Sequence, residues 1–85
     1  MWSEEKDEQL KRRRDVSFDA IIAEIEAGNL IDVIPSTDPE QPDGWMYVVL
    51  FRGYLWVVPF HATEDKIVLH TIFPSRKLMK HYGYR

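Results

Sequence analysis

Apolar residues recur with helical spacing early in the chain and with strand-like spacing later. Over 18–27, Phe18, Ile21, Ile22 and Ile25 fall at i, i+3, i+4 and i+7, the single stripe of a helix that buries one side. Ser17 can cap its start, and Gly28 stops it. Residues 3–14 read as a helix on charge instead. Ser3 can cap it, Glu4, Glu5, Asp7 and Glu8 sit at the positive end of the dipole, and Lys11 to Arg14 sit at the negative end. Leu10 is its one apolar interior residue, so this helix is expected on the surface or against something outside the chain.

From Leu30 the period shortens. Residues 30–35 form a short β-like run ending at Pro35, and 36–44 hold three acids, two prolines and a glycine, which predicts a loop. The runs 45–51 and 54–60 are rich in β-branched and aromatic residues, and Arg52-Gly53 between them signals a tight hairpin. Pro59 places the end of the second run at an edge or a bulge. After a turn at 61–65, residues 66–73 read as a fourth strand, and Pro74-Ser75 opens a last helix from 76 to about 81. The expectation is one α+β domain over 1–85. Two N-terminal helices precede a four-stranded antiparallel meander and a short C-terminal helix, with the helices covering one face of the sheet.

Composition narrows the class. Eighty-five residues support one core, and a hydrophobic fraction of 45% argues against disorder. With no cysteine the chain is not a disulfide scaffold. Its apolar runs break well short of the ~20 residues that span a bilayer, and its acidic start is unlike a signal peptide. These features predict a cytoplasmic protein with no membrane partner. The net charge of −3 speaks against nucleic acid, but its distribution does not. Residues 15–44 carry eight acids and no base, while 66–85 carry five bases and no acid. A basic face for phosphate and an acidic face for a basic partner are expected on one molecule.

No cofactor is indicated. His61, His70 and His81 lack metal-ligand spacing, the acids of 15–44 lack calcium-loop spacing, and no glycine-rich turn precedes a helix. Ser17, Ser36 and Ser75 lack the surroundings of an activated nucleophile. Trp45, Tyr47, Tyr54 and Trp56 could stack on bases, although packing within a small core is the commoner use of such residues. The ending HTIFPSRKLMKHYGYR is the richest stretch. Cutting RNA without metal needs a base for the ribose 2′-OH, cations for the phosphate and an acid for the leaving oxygen. Arg76, Lys77, Lys80, His81, Tyr82, Tyr84 and Arg85 supply those side-chain types.

Two segments extend that reading. Trp2, Lys6 and the block Arg13-Arg14-Asp15-Val16-Ser17-Phe18 resemble the start of BrnT-type toxins: Trp, three residues, Lys, then seven residues on a Lys-His-Gly-Val-x-Phe block. Ser75-Arg76-Lys77, with Lys80 and Tyr82, resembles the family's Ser/Thr-Arg-Arg/Lys ending and its tyrosine. The resemblance covers about a third of the chain. It implies a RelE-like fold and a bacterial toxin that blocks translation by cutting RNA. It also implies an antitoxin of ribbon-helix-helix type encoded beside it, with a homodimer and a hetero-oligomer with the antitoxin both open. By position it marks Lys6 and Arg76 as phosphate-binding or catalytic candidates and Tyr82 as a proton carrier. The family's His-Gly is Arg14-Asp15 here. A guanidinium stays protonated, so Arg14 is suited to hold phosphate and not to act as a base.

The expected site therefore has Arg14, Arg76 and Lys80 on phosphate and His81 or Tyr82 moving the proton. His70 is the reserve base if it faces the basic helix, and Lys6, Arg13, Lys77 and Arg85 bind RNA. The rival expectation is a module that docks protein or nucleic acid without cutting.

Overall fold

The structure is a computed structural model that describes residues 1–36 and 44–84. Its elements are α1 (Glu4–Arg14), α2 (Phe18–Glu26), β1 (Leu30–Pro35), β2 (Trp45–Phe51), β3 (Tyr54–Ala62), β4 (Ile67–Leu69), β5 (Phe73–Pro74) and α3 (Arg76–His81). The α+β layout is the one the sequence predicts. The 36–44 loop, apart from Ser36 and Gly44, lies outside the described residues, as does Arg85.

Helix α1 starts at Ser3, whose hydroxyl accepts from the Lys6 N–H at 3.3 Å, and ends at Asp15, which takes a left-handed φ of 53°. It is tied down by more than Leu10. Asp7 is buried, and its carboxylate accepts the Phe18 N–H at 2.9 Å. Ser17 accepts the Ala20 N–H at 3.2 Å, so side chains from two places satisfy donors that α2 leaves unpaired at its start. Lys11 closes on Asp7 at 3.1 Å, and that carboxylate raises the Lys11 ammonium above its usual value. Trp2 stacks on Phe18 with ring centroids 5.3 Å apart.

The sheet runs β1-β2-β3-β4, with β5 also on β3, and all the pairs are antiparallel. Arg52 and Gly53 turn the β2–β3 hairpin with φ of 55° and 75°, the two positive values of a type I′ turn. Arginine tolerates that backbone poorly, yet here its guanidinium is anchored. It lies 4.6 Å above the Phe51 ring and donates to the Asp15 carbonyl at 2.8 Å, fastening the hairpin tip to the α1–α2 corner.

The fourth strand is broken, contrary to expectation. Residues 66–73 do not form one strand; β4 and β5 both pair with β3, separated by residues 70–72. The cause is Pro59. His70 N–H donates to the Pro59 carbonyl at 2.9 Å, so the side of β3 where proline has no N–H to return faces this gap. The register also slips by one residue there, from Phe60↔Leu69 to Val57↔Phe73. On the other flank, Ser36 N–H donates to the Gly44 carbonyl. By alternation Val33 and Pro35 turn their backbone nitrogens outward from β1. The Val33 N–H is taken by its neighbour, the Asp32 carboxylate, at 2.8 Å.

The helices do not share one face. α1 and α2 cover Val49, Val58, Phe60, Leu69 and Ile72, with Leu10, Val16, Phe18 and Ile21 buried between. α3 covers the other face through Met79, packed on Val48 and Leu55. The reason lies in β2 and β3, where Val48, Val49, Val57 and Val58 are all buried. Neighbouring residues point to opposite faces, so such a run needs cover on both.

Candidate functional site

The C-terminal cations are presented by a short, well-terminated helix. Ser75 caps α3 by accepting the Leu78 N–H at 3.2 Å. At its end Gly83 N–H reaches the Lys80 carbonyl and Tyr84 N–H reaches the Met79 carbonyl. This is a Schellman stop, for which Gly83 supplies the left-handed φ of 78°. Met79 is buried, and its Sδ accepts the Leu55 N–H at 3.2 Å. Leu78 and Tyr82 pack beside it on the same core. Helical spacing then leaves Arg76, Lys77, Lys80 and His81 outside, and all four are exposed. Arg76 with Lys80, and Lys77 with His81, form two i,i+4 pairs. Among the described residues, the three cations of this face make no ion pair.

Tyr82, the expected proton carrier, is committed elsewhere. Its hydroxyl donates to the Asp32 carboxylate at 2.6 Å, tying the end of α3 to β1. The bond pushes the phenol above its ordinary range and holds Asp32 below the ordinary carboxylate range. Tyr82 is thus a reluctant proton donor, and its nearest acceptor is a carboxylate of the fold. The contact has two pH limits. Asp32's contribution is full above its ordinary value of 3.8 and fades as pH falls through the lowered one. Tyr82's is full below 10.0 and is lost as pH rises through the raised value. Ultraviolet titration of the phenols is expected to show a component above the ordinary tyrosine range that both Y82F and D32N remove. Its persistence in D32N would show that Asp32 is not its cause.

The remaining candidates do not converge on α3. Lys6, Arg13 and Arg14 belong to α1, across the sheet, where Arg13 and Arg14 are exposed and Lys6 is half-buried. His70 sits half-buried in the gap between β4 and β5, with its Nε2 2.7 Å from His61 Nδ1. The ring centroids are 4.8 Å apart, nearly that contact plus two ring radii, so the imidazoles meet end-on and not face to face. Which ring donates and which accepts depends on the tautomer. Phe60 belongs to the α1–α2 core, so His61 points to the α3 face, yet six residues along β3 from Leu55, about 20 Å at ~3.3 Å each. His70 stands with His61, away from the basic helix. Sequence reading named His70 but missed His61, because only the β3–β4 pairing brings them together.

Of the four candidate stacking aromatics, three are used in packing. Tyr47 stacks on Phe60 at 4.0 Å, Trp56 donates its indole N–H to the Phe51 carbonyl at 3.1 Å, and Tyr54 lies against the α3 core. Trp45 is exposed, on the face opposite α3. Among the described residues no group of three or more His, Cys, Asp or Glu side chains could hold a metal ion, and no helix is long and apolar enough to cross a membrane. No family model matches this chain, and no curated protein or solved structure matches it either.

Proposed function

We propose that the chain is a RelE-like toxin that acts on RNA, with Arg76, Lys77 and Lys80 holding phosphate and His81 moving the proton. The observation that carries this is the outer side of α3. Three cations without acidic partners among the described residues stand there beside an exposed histidine, and histidine is the side-chain type that exchanges a proton near neutral pH. In the step proposed, His81 takes the 2′-OH proton as the 2′ oxygen attacks phosphorus. The bond from phosphorus to the 5′ oxygen breaks to leave a cyclic phosphate, and His81 returns the proton to the 5′ oxygen, while the i,i+4 cations offset the charge on the phosphoryl oxygens. The left-handed backbone of Asp15 stands where the BrnT-type block has glycine, which supports the register of that resemblance. A ribbon-helix-helix antitoxin is the partner this reading implies.

Induced expression in a bacterial host is expected to arrest growth with fragmented mRNA. The R76A/K80A/H81A variant is expected to abolish both, whereas K6A/R13A/R14A, on the far side of the sheet, retains arrest. If the α3 variant arrests growth as the wild type does, the assignment of the site fails. A second reading, binding without cutting, is favoured by the Tyr82–Asp32 bond, which removes one proton-transfer group from α3. It predicts intact mRNA together with RNA affinity that falls with salt. Three phosphate contacts would give a log–log slope of about −2, at ~0.7 per contact on single strands.

A further inference from the structure

The sheet face that carries α2 is only partly covered. The large hydrophobic side chains exposed among the described residues are Met1, Val33, Trp45 and Ile67. The pleat puts all three strand residues on one face. Trp45 shares the side of Tyr47 and Val49, Val33 lies across the ladder from Tyr47, and Ile67 shares the side of Leu69. Trp45 and Ile67 are 46% and 43% exposed, and it is their sharing one face with an apolar cavity, not their exposure singly, that marks a docking surface. Between α2 and β4 this face opens into an apolar cavity of about 240 Å³, walled by Ile22, Ile25, Tyr47 and Ile67, with Glu26 and Met1 also lining it. A dry apolar cavity of ~150 Å³ already holds a benzene ring, so this one has room for a leucine- or phenylalanine-sized side chain.

The charge around the opening selects the occupant. α2 carries Asp19, Glu24 and Glu26 and no base, and the turn before Ile67 adds Glu64 and Asp65 against Lys66, while the Met1 ammonium is held on the Ile67 carbonyl at 2.8 Å. A second copy docking by two-fold symmetry would set these acids against themselves, between chains that each carry a net −3. A partner bearing Lys or Arg beside its apolar residues meets no such repulsion. We propose that this face docks a basic amphipathic segment of a protein partner, with one apolar side chain seated in the cavity and a cation beside Glu26. The surface lies across the sheet from α3, so it goes beyond the RNA reading and does not depend on it.

The test is an NMR titration of the full chain, isoleucine methyls labelled, with a synthetic helical peptide that carries leucines along one face and lysines elsewhere. A second peptide replaces each lysine by glutamate. Saturable shifts are expected at Ile22, Ile25, Ile67 and the Trp45 indole, with the α3 amides unmoved and no saturable shift from the glutamate peptide. Glu26 is exposed, so E26K is expected to keep the fold and to weaken binding at least tenfold. I22K is expected to abolish the methyl shifts, with circular dichroism confirming that it folds. No saturable shift, equal binding of both peptides, or shifts centred outside this face would overturn the proposal. So would sedimentation of the wild type as a dimer with these methyls buried, which assigns the face to a second copy.

Discussion

Replacing Phe18 with alanine is expected to remove about 3–5 kcal/mol of folding stability, the usual cost of emptying an aromatic site in a packed core. Phe18 is fully buried, stacks on Trp2, and opens α2 directly above the sheet, so its loss leaves a void shared by both N-terminal helices and the strands beneath. A domain of 85 residues at ~0.05–0.15 kcal/mol per residue holds roughly 4–13 kcal/mol in total. The substitution therefore consumes a large share of it. Urea unfolding followed by circular dichroism should show a large fall in midpoint for F18A and a smaller one for F18L, which keeps a large apolar side chain but gives up the ring stacked on Trp2. A loss below about 1 kcal/mol in F18A would mean that the α2–sheet core is not packed as described.

Asp7→Ala is the second large effect, and its cause is polar. With the carboxylate gone, the buried Phe18 N–H has no acceptor, which costs about 1–3 kcal/mol. The Lys11 ion pair adds little, since Lys11 is exposed to solvent. Asp7→Asn separates hydrogen bond from charge. Its amide oxygen can still accept from Phe18, so the expected loss is below about 1 kcal/mol, the worth of a negative charge at a helix start. Equal losses in D7A and D7N, read from urea midpoints, would point to the charge and not the bond.

Asp7 also shows what the sequence does and does not reveal. Its place in the first turn of α1 is accounted for by the helix dipole alone, and nothing local signals that its partner is Phe18, eleven residues on. The hairpin was legible because Arg52-Gly53 and the apolar runs beside it are local signals. The broken fourth strand was not, because the proline responsible sits on the neighbouring strand. The side of the sheet that α3 takes could have been read from the consecutive valines 48–49 and 57–58, whose missing alternation means two buried faces. Among the site residues, the outward cations of α3 follow from helical spacing, while Tyr82 and Asp32 are fifty residues apart and meet only through topology.

The flanks of the sheet bear on how this protein behaves when crowded. An open strand flank normally invites another chain to add to it, the first step toward swapped oligomers and fibres. Here two successive outward positions of β1 offer no free donor, Val33 because the Asp32 carboxylate takes its N–H and Pro35 because it has none. The β4 flank is occupied by Met1, whose carbonyl accepts the Leu69 N–H at 2.7 Å and whose nitrogen donates to the Ile67 carbonyl at 2.8 Å. Among the described residues, the Val33–Pro35 stretch of β1 and the Ile67–Leu69 stretch of β4 thus present few free donors to an incoming backbone. These devices oppose the templating of one molecule by another, which leaves the side chains on the two faces of the sheet as the surfaces for recognition.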